Sequence, residues 1–145
     1  MKLKLSSLKN ERKRIEAGDF ETYPFWQTPD GKKPIRFNVS GLSSQAYKRA
    51  AEDLAKELAL KYKGDPIPEE IMHVKNGELF AEHILHEWDG LDEAYSPELA
   101  LKLLTDRDYE ALNEAVVWCA RKRDSVTVEF VADTEKNLET PSVTS

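Results

Sequence analysis

Two incompatible hydrophobic periods meet at Gly41. Before it, Ile35, Phe37 and Val39 alternate with Arg36, Asn38 and Ser40, the period of two that suits a half-buried strand. After it, Tyr47, Ala50, Ala51, Leu54, Leu58 and Tyr62 recur at helical spacing, opposed by Lys48, Arg49, Glu52, Asp53, Lys56 and Glu57. Residues that share one face at a period of two scatter at 3.6, so the chain must pass from sheet to helix here. Upstream, residues 20–27 and 34–40 flank Thr28-Pro29-Asp30-Gly31, whose proline, aspartate and glycine favour a tight turn, which predicts a β-hairpin. Pro24 cannot donate to a ladder and assigns the first strand to an edge.

Downstream, capping signals divide the helices. Ser43 is the expected N-cap, with Leu42 stapled to Tyr47, and Gly64 ends that helix. Pro68 opens a second helical stretch through Ile71, Met72, Leu79, Phe80, His83, Ile84 and Trp88 that stops at Gly90, either as one helix or broken or bent at Asn76-Gly77. Ser96-Pro97 starts a short helix to Leu104, and Thr105 caps a last one whose core face is Tyr109, Leu112, Val116, Cys119 and Ala120. Val126, Val128 and Phe130 alternate like a strand, while Val126 and Phe130 also sit four apart; a continuing helix is the preferred reading. The expected fold is mainly α: an N-terminal β-hairpin followed by a four- to five-helix domain. Residues 1–18 form a basic arm, 19–133 one domain and 134–145 a mobile polar tail.

With 40% hydrophobic and 33% charged residues, the composition excludes disorder, and no apolar run approaches the ~18 residues of a membrane span. The first residues are basic but continue into charge, unlike a secretory signal. A single cysteine, Cys119, cannot form an internal disulfide and fits a reducing cytosol.

Catalytic chemistry finds little purchase. His83 and His86 would share a helix face at i and i+3, with His73 or a carboxylate as third metal ligand. Their order, His-x-x-His-Glu, matches neither known zinc-protease pattern, and ordinary packing or surface roles are the better reading. Cys119 lies on an apolar helix face as a small hydrophobe. No phosphate-binding glycine loop is present, and Asp89, Asp92 and Glu93 read as a solvated loop. Lys9, Arg12, Lys13, Arg14, Lys32, Lys33 and Arg36, with Tyr23, Phe25 and Trp26, could bind nucleic acid, but a net charge of −6 weighs against it. The expectation is a protein with no catalytic residues, metal or cofactor, and with no membrane or nucleic-acid partner.

Three segments carry a family resemblance: residues 79–91 (LFAEHILHEWDGL), 95–100 (YSPELA) and 103–109 (LLTDRDY), followed by Ala115-Val116-Val117-Trp118-Cys119-Ala120. With the upstream hairpin, the Val39-Ser40-Gly41-Leu42 exit and Tyr47, they resemble the tail assembly chaperones of long-tailed bacteriophages, prophages and gene transfer agents. The resemblance runs from about Phe20 to Ala120 and rests on packing and capping signatures. It implies a chaperone that coats the tape-measure protein in the host bacterial cytoplasm, keeps it soluble while tail-tube protein is recruited, and is absent from the virion. A head-to-tail connector or tail-completion protein retained in the particle is the rival reading.

Charge is split along the chain. Residues 1–63 carry 14 Lys/Arg against 8 Asp/Glu, a balance of +6, while 64–145 carry 7 against 19, a balance of −12. Two differently solvated surfaces would explain this; so would weak head-to-tail association of copies. On the second reading, sedimentation should show weak self-association that a tape-measure fragment enhances. High salt should loosen it, because exposed charges are screened beyond ~8 Å at physiological ionic strength. Indifference to salt would exclude the charge-driven part.

Overall fold

The change of period at Gly41 is realised as a hairpin that hands over to helices, as expected. A computed structural model describes residues 1–133. Its elements are β1 (Lys2–Leu3), α1 (Arg12–Ala17), β2 (Asp19–Gln27), β3 (Pro34–Val39), α2 (Gln45–Tyr62), α3 (Glu69–Leu79), β4 (Leu85–Asp89), α4 (Pro97–Leu104), α5 (Glu110–Asp124) and β5 (Phe130–Val131). A π-helical turn, Phe80–Ile84, joins α3 to β4. The fold is mainly α, with the hairpin in front of the long helices.

The described chain forms two units: Arg12–Asp124, and Met1–Glu11 with Ser125 onward. These boundaries differ from the expected division at residues 18 and 133. Ile15, assigned to the arm, is 1% exposed within the larger unit, and the Gly41 N–H donates to its carbonyl at 3.0 Å. In the smaller unit β1 and β5 pair antiparallel, Lys2 with Val131 and Leu3 with Phe130. The expected mobile tail, 134–145, lies outside the described residues.

In the larger unit, turn chemistry closes the hairpin. The Gly31 N–H donates to the Thr28 carbonyl at 2.8 Å, and the Asp30 carboxylate accepts from the Thr28 hydroxyl and the Lys32 N–H. β3 is central, β2 takes one edge as Pro24 requires, and β4 pairs antiparallel on the other side. Ile35, Phe37 and Val39 are all buried, and α5 packs on β2 and β3 with Leu112, Ala115, Val116, Cys119 and Ala120 inward.

β4 corrects the expected helix through Trp88. Phe37 pairs with Trp88, Asn38 with Glu87 and Val39 with Leu85, so His86 is an unpartnered bulge residue. The bulge buries Leu85 and Trp88 three residues apart, a spacing that imitates a helix in the sequence. Likewise the last helix does not continue past Asp124. There the carboxylate leaves its own helix to accept from the Leu42 and Ser43 N–H groups and the Ser43 hydroxyl. Before it, Arg123 is 7% exposed, with Nη1 3.0 Å from the Glu21 carboxylate and Nη2 donating to the Arg14 carbonyl at 2.7 Å.

Caps shift by one residue where a second partner competes. Ser43 is engaged by Asp124, so Ser44 caps α2 and accepts from the Tyr47 N–H. Thr105 instead donates its hydroxyl back to the Leu101 carbonyl at 2.7 Å, and Asp106 caps the next turn through the Asp108 N–H. Pro68 precedes α3 rather than occupying its first position, whereas Ser96 caps α4 as expected. Tyr109 is 46% exposed and does not belong to the core, where Ala115 packs in its stead.

Gly77 does not break α3. It is buried because α3 and α4 meet backbone to backbone: a Cβ there would lie 2.3 Å from the Leu104 carbonyl oxygen. Gly77→Ala should therefore force the two helices apart and cost about 1–3 kcal/mol. The measurement is a lower urea midpoint at unchanged slope; an unchanged midpoint would refute the close approach.

Candidate functional site

Three helices leave a groove of about 640 Å³ between them. α2 contributes Ala50, Asp53, Leu54 and Glu57, which are one face at i, i+3, i+4 and i+7. Lys75, Glu78, Leu79, Ala81 and Glu82, on α3 and the π-helical turn, line it from below, and α4 supplies Pro97 and Leu101. The lining is apolar along Ala50, Leu54, Leu79 and Leu101, and acidic at its edges. Lys75 pairs with Glu78 at 3.6 Å and Glu82 lies 3.9 Å from the His83 imidazole, so with neutral histidine Asp53, Glu57 and Glu82 are surplus negative charge. Tyr47 stacks on Phe80 with ring centroids 5.8 Å apart and ties α2 to the π-helical turn.

α2 is thinly covered for its length. Of its 18 residues Leu58 is the buried one, while Tyr47, Ala50, Ala51, Leu54 and Tyr62, the apolar stripe of the sequence, stay half-buried. On the far side of the groove Leu101 is 43% exposed.

A second hollow of about 540 Å³ lies between α3 and α5. His73 lines it with Asn76, Asn113, Trp118 and Arg121, and the His73 Nε2 is buried without a hydrogen-bond partner. The hairpin aromatics converge on this side: Tyr23 meets Trp26 edge-to-face at 4.8 Å and Trp118 at 5.7 Å, and Phe25 meets Trp118 at 5.8 Å.

The residues that the sequence offered for chemistry are dispersed. His83 lies on the π-helical turn and His86 on the β4 bulge, so they do not share a helix face, and His73 faces the second hollow. Among the described residues no group of three His, Cys, Asp or Glu side chains could hold a metal ion. Cys119 is fully buried; burial, and secondarily the Glu21 charge, push its thiol up to about 12. Arg36 is occupied by Asp89 at 2.6 Å and sits 4.7 Å over the Phe20 ring, while Arg12 reaches Ser43. In the acidic loop the Glu93 carbonyl accepts from the Trp88 indole N–H at 2.7 Å. Among the described residues no helix is long and apolar enough to cross a membrane.

His86 contributes to stability instead. Its Nε2 lies 2.7 Å from the buried Ser40 hydroxyl, whose proton goes to the Glu16 carbonyl, so the imidazole donates through Nε2–H. Partial desolvation of the ring, and then the charge of His83, hold the His86 pKa below its ordinary value. The unfolded chain therefore binds this proton more readily. The contribution is intact above the unfolded pKa of ~6.5 and is withdrawn as pH falls below it, toward the lower folded value. The urea midpoint should drop between pH 7 and 5, and His86→Gln should shrink that drop; an equal drop in both proteins would contradict this.

A family model described as YdaY prophage protein matches residues 42–137. No curated protein and no solved structure matches. The match begins just past the change of period at Gly41 and takes in every helix that lines the groove. The chain thus belongs to the YdaY prophage protein family.

Proposed function

We propose that this prophage protein is a tail assembly chaperone: it binds the tape-measure protein, holds it in solution while tail-tube protein is recruited, and departs before the particle is complete. The observation that carries this reading is the open groove, an apolar trough with acidic edges on the helices of the matched region. Residues 79–91, 95–100 and 103–109, which carry the resemblance to tail assembly chaperones, form or border those helices and fall inside the same region. A holdase of this kind needs no catalytic group, only a surface that competes with self-association of an apolar client. Many weak contacts suit it, since a coat must be shed when the tube closes, and copies arrayed along one client gain avidity without tight individual binding. The charge split supports the same arrangement, with neighbouring copies meeting head to tail along the client.

The test is co-expression with a tape-measure fragment from the same prophage. The fragment should shift from the insoluble to the soluble fraction and co-purify with this protein, and purified particles should lack the protein. A fragment that stays insoluble would overturn the proposal. Detection of the chain in finished particles would favour the connector reading.

A further inference from the structure

We propose that the groove takes an amphipathic helix whose apolar ridge lies against Ala50, Leu54, Leu79 and Leu101 and whose flanking Lys or Arg side chains meet Asp53, Glu57 and Glu82. The inference deepens the chaperone reading, on which it rests for the identity of the client.

Three features define the occupant. The walls are helices, and they offer side-chain carbon and carboxylate oxygen but no row of backbone donors and acceptors. An occupant must then satisfy its own peptide groups, which a helix does and an extended strand does not. The α2 wall presents Ala50, Asp53, Leu54 and Glu57 over two turns, about 10 Å at 1.5 Å per residue, so the contact accommodates anchors at i, i+3 or i+4, and i+7. Small side chains at Ala50 and Ala81 let a fourth helix approach to an ordinary packing distance.

Charge selects among helices. With Lys75 paired to Glu78, the exposed Asp53 and Glu57 carboxylates are open to a basic flank, Glu82 lies 3.9 Å from the His83 imidazole, and an acidic flank would meet like charge. The chain's own basic helix does not fit: α1 is only six residues long, and its one large apolar side chain, Ile15, is buried. A basic-flanked helix of another protein meets these requirements.

A capped three-heptad peptide with a leucine ridge and lysine flanks, and its twin with glutamate flanks, serve as probes in fluorescence anisotropy at low salt. The lysine peptide should bind at least tenfold more tightly than the glutamate peptide. Asp53→Lys with Glu57→Lys should cost that preference, and Leu101→Asn should weaken both peptides, with far-ultraviolet circular dichroism unchanged in each variant. Asp92→Lys with Glu93→Lys, outside the groove, should leave binding within twofold. Equal affinity for the two peptides, or equal loss from both charge reversals, would overturn the proposal. So would a wild-type assembly in sedimentation that the groove reversal dissolves, since the occupant would then be a second copy. If the peptides behave as expected while the tape-measure fragment stays insoluble, the groove stands and the chaperone reading falls. If the groove reversal solubilises that fragment as well as wild type does, the groove proposal falls and the chaperone reading stands.

Discussion

A three-stranded sheet cannot leave its apolar face in water, and here the burden falls on α5. Phe37 and Val39 on the central strand are wholly buried, and the helix over them turns small residues inward, Ala115, Cys119 and Ala120 among them. Small side chains let helix and sheet close to van der Waals contact along most of the helix. At its end the packing becomes polar. Arg123 and Glu21 form an ion pair that is nearly buried at both ends, and Asp124 holds the backbone just past Gly41. A Cβ on Gly41 would lie 2.2 Å from the Asp124 carboxylate, so glycine is what lets this clamp close. Breaking a buried pair by removing one partner commonly costs about 3–5 kcal/mol, because the other charge stays behind. The tip of α5 thus fixes where the sheet ends and α2 begins.

Local chemistry was legible in the sequence, and long-range chemistry was not. Pro29, Asp30 and Gly31 act within their own turn, and Ser96 and Pro97 within theirs, so each is visible in a few consecutive residues. β4 was missed because its bulge at His86 replaces alternation with a spacing of three, and nothing nearby reveals that the partner strand lies before α2. Ser43 was mistaken for a cap because its competitor, Asp124, is 81 residues away. The strand pair of β1 and β5 joins residues on either side of the larger unit in sequence; the alternation of Val126, Val128 and Phe130 hints at a strand, but only Phe130–Val131 pairs, and its partner Lys2–Leu3 is too short to carry a period.

For the groove the sequence supplied half of the answer. The stripe on α2 was visible, but whether a stripe is buried in its own protein or left half-open depends on what lies opposite. That is decided by the bend of the chain through the π-helical turn and by the close approach of Gly77 to Leu104. Asp53 and Glu57 looked like ordinary solvated residues because they acquire meaning only beside Glu82 and Leu101. The histidines show the converse: His83 and His86 are neighbours in sequence, yet the passage from π-helical turn to strand between them removes the shared face that would have made them a pair.

The order of strands also carries a consequence for folding. β2 and β3 are joined by a short turn and can zip locally, whereas β4 reaches β3 only after the whole of α2 and α3 has been laid down between them. Closing that excursion has an entropic cost that rises with the logarithm of its length. Two of the three helices that wall the groove, α2 and α3, belong to this same excursion. A guest gripping α2 and α3 together would draw the loop's two arms toward their native spacing, and binding to the native state alone raises its stability by mass action. Occupancy of a surface trough would then be felt in the hydrogen-exchange rates of a sheet edge that the guest never touches.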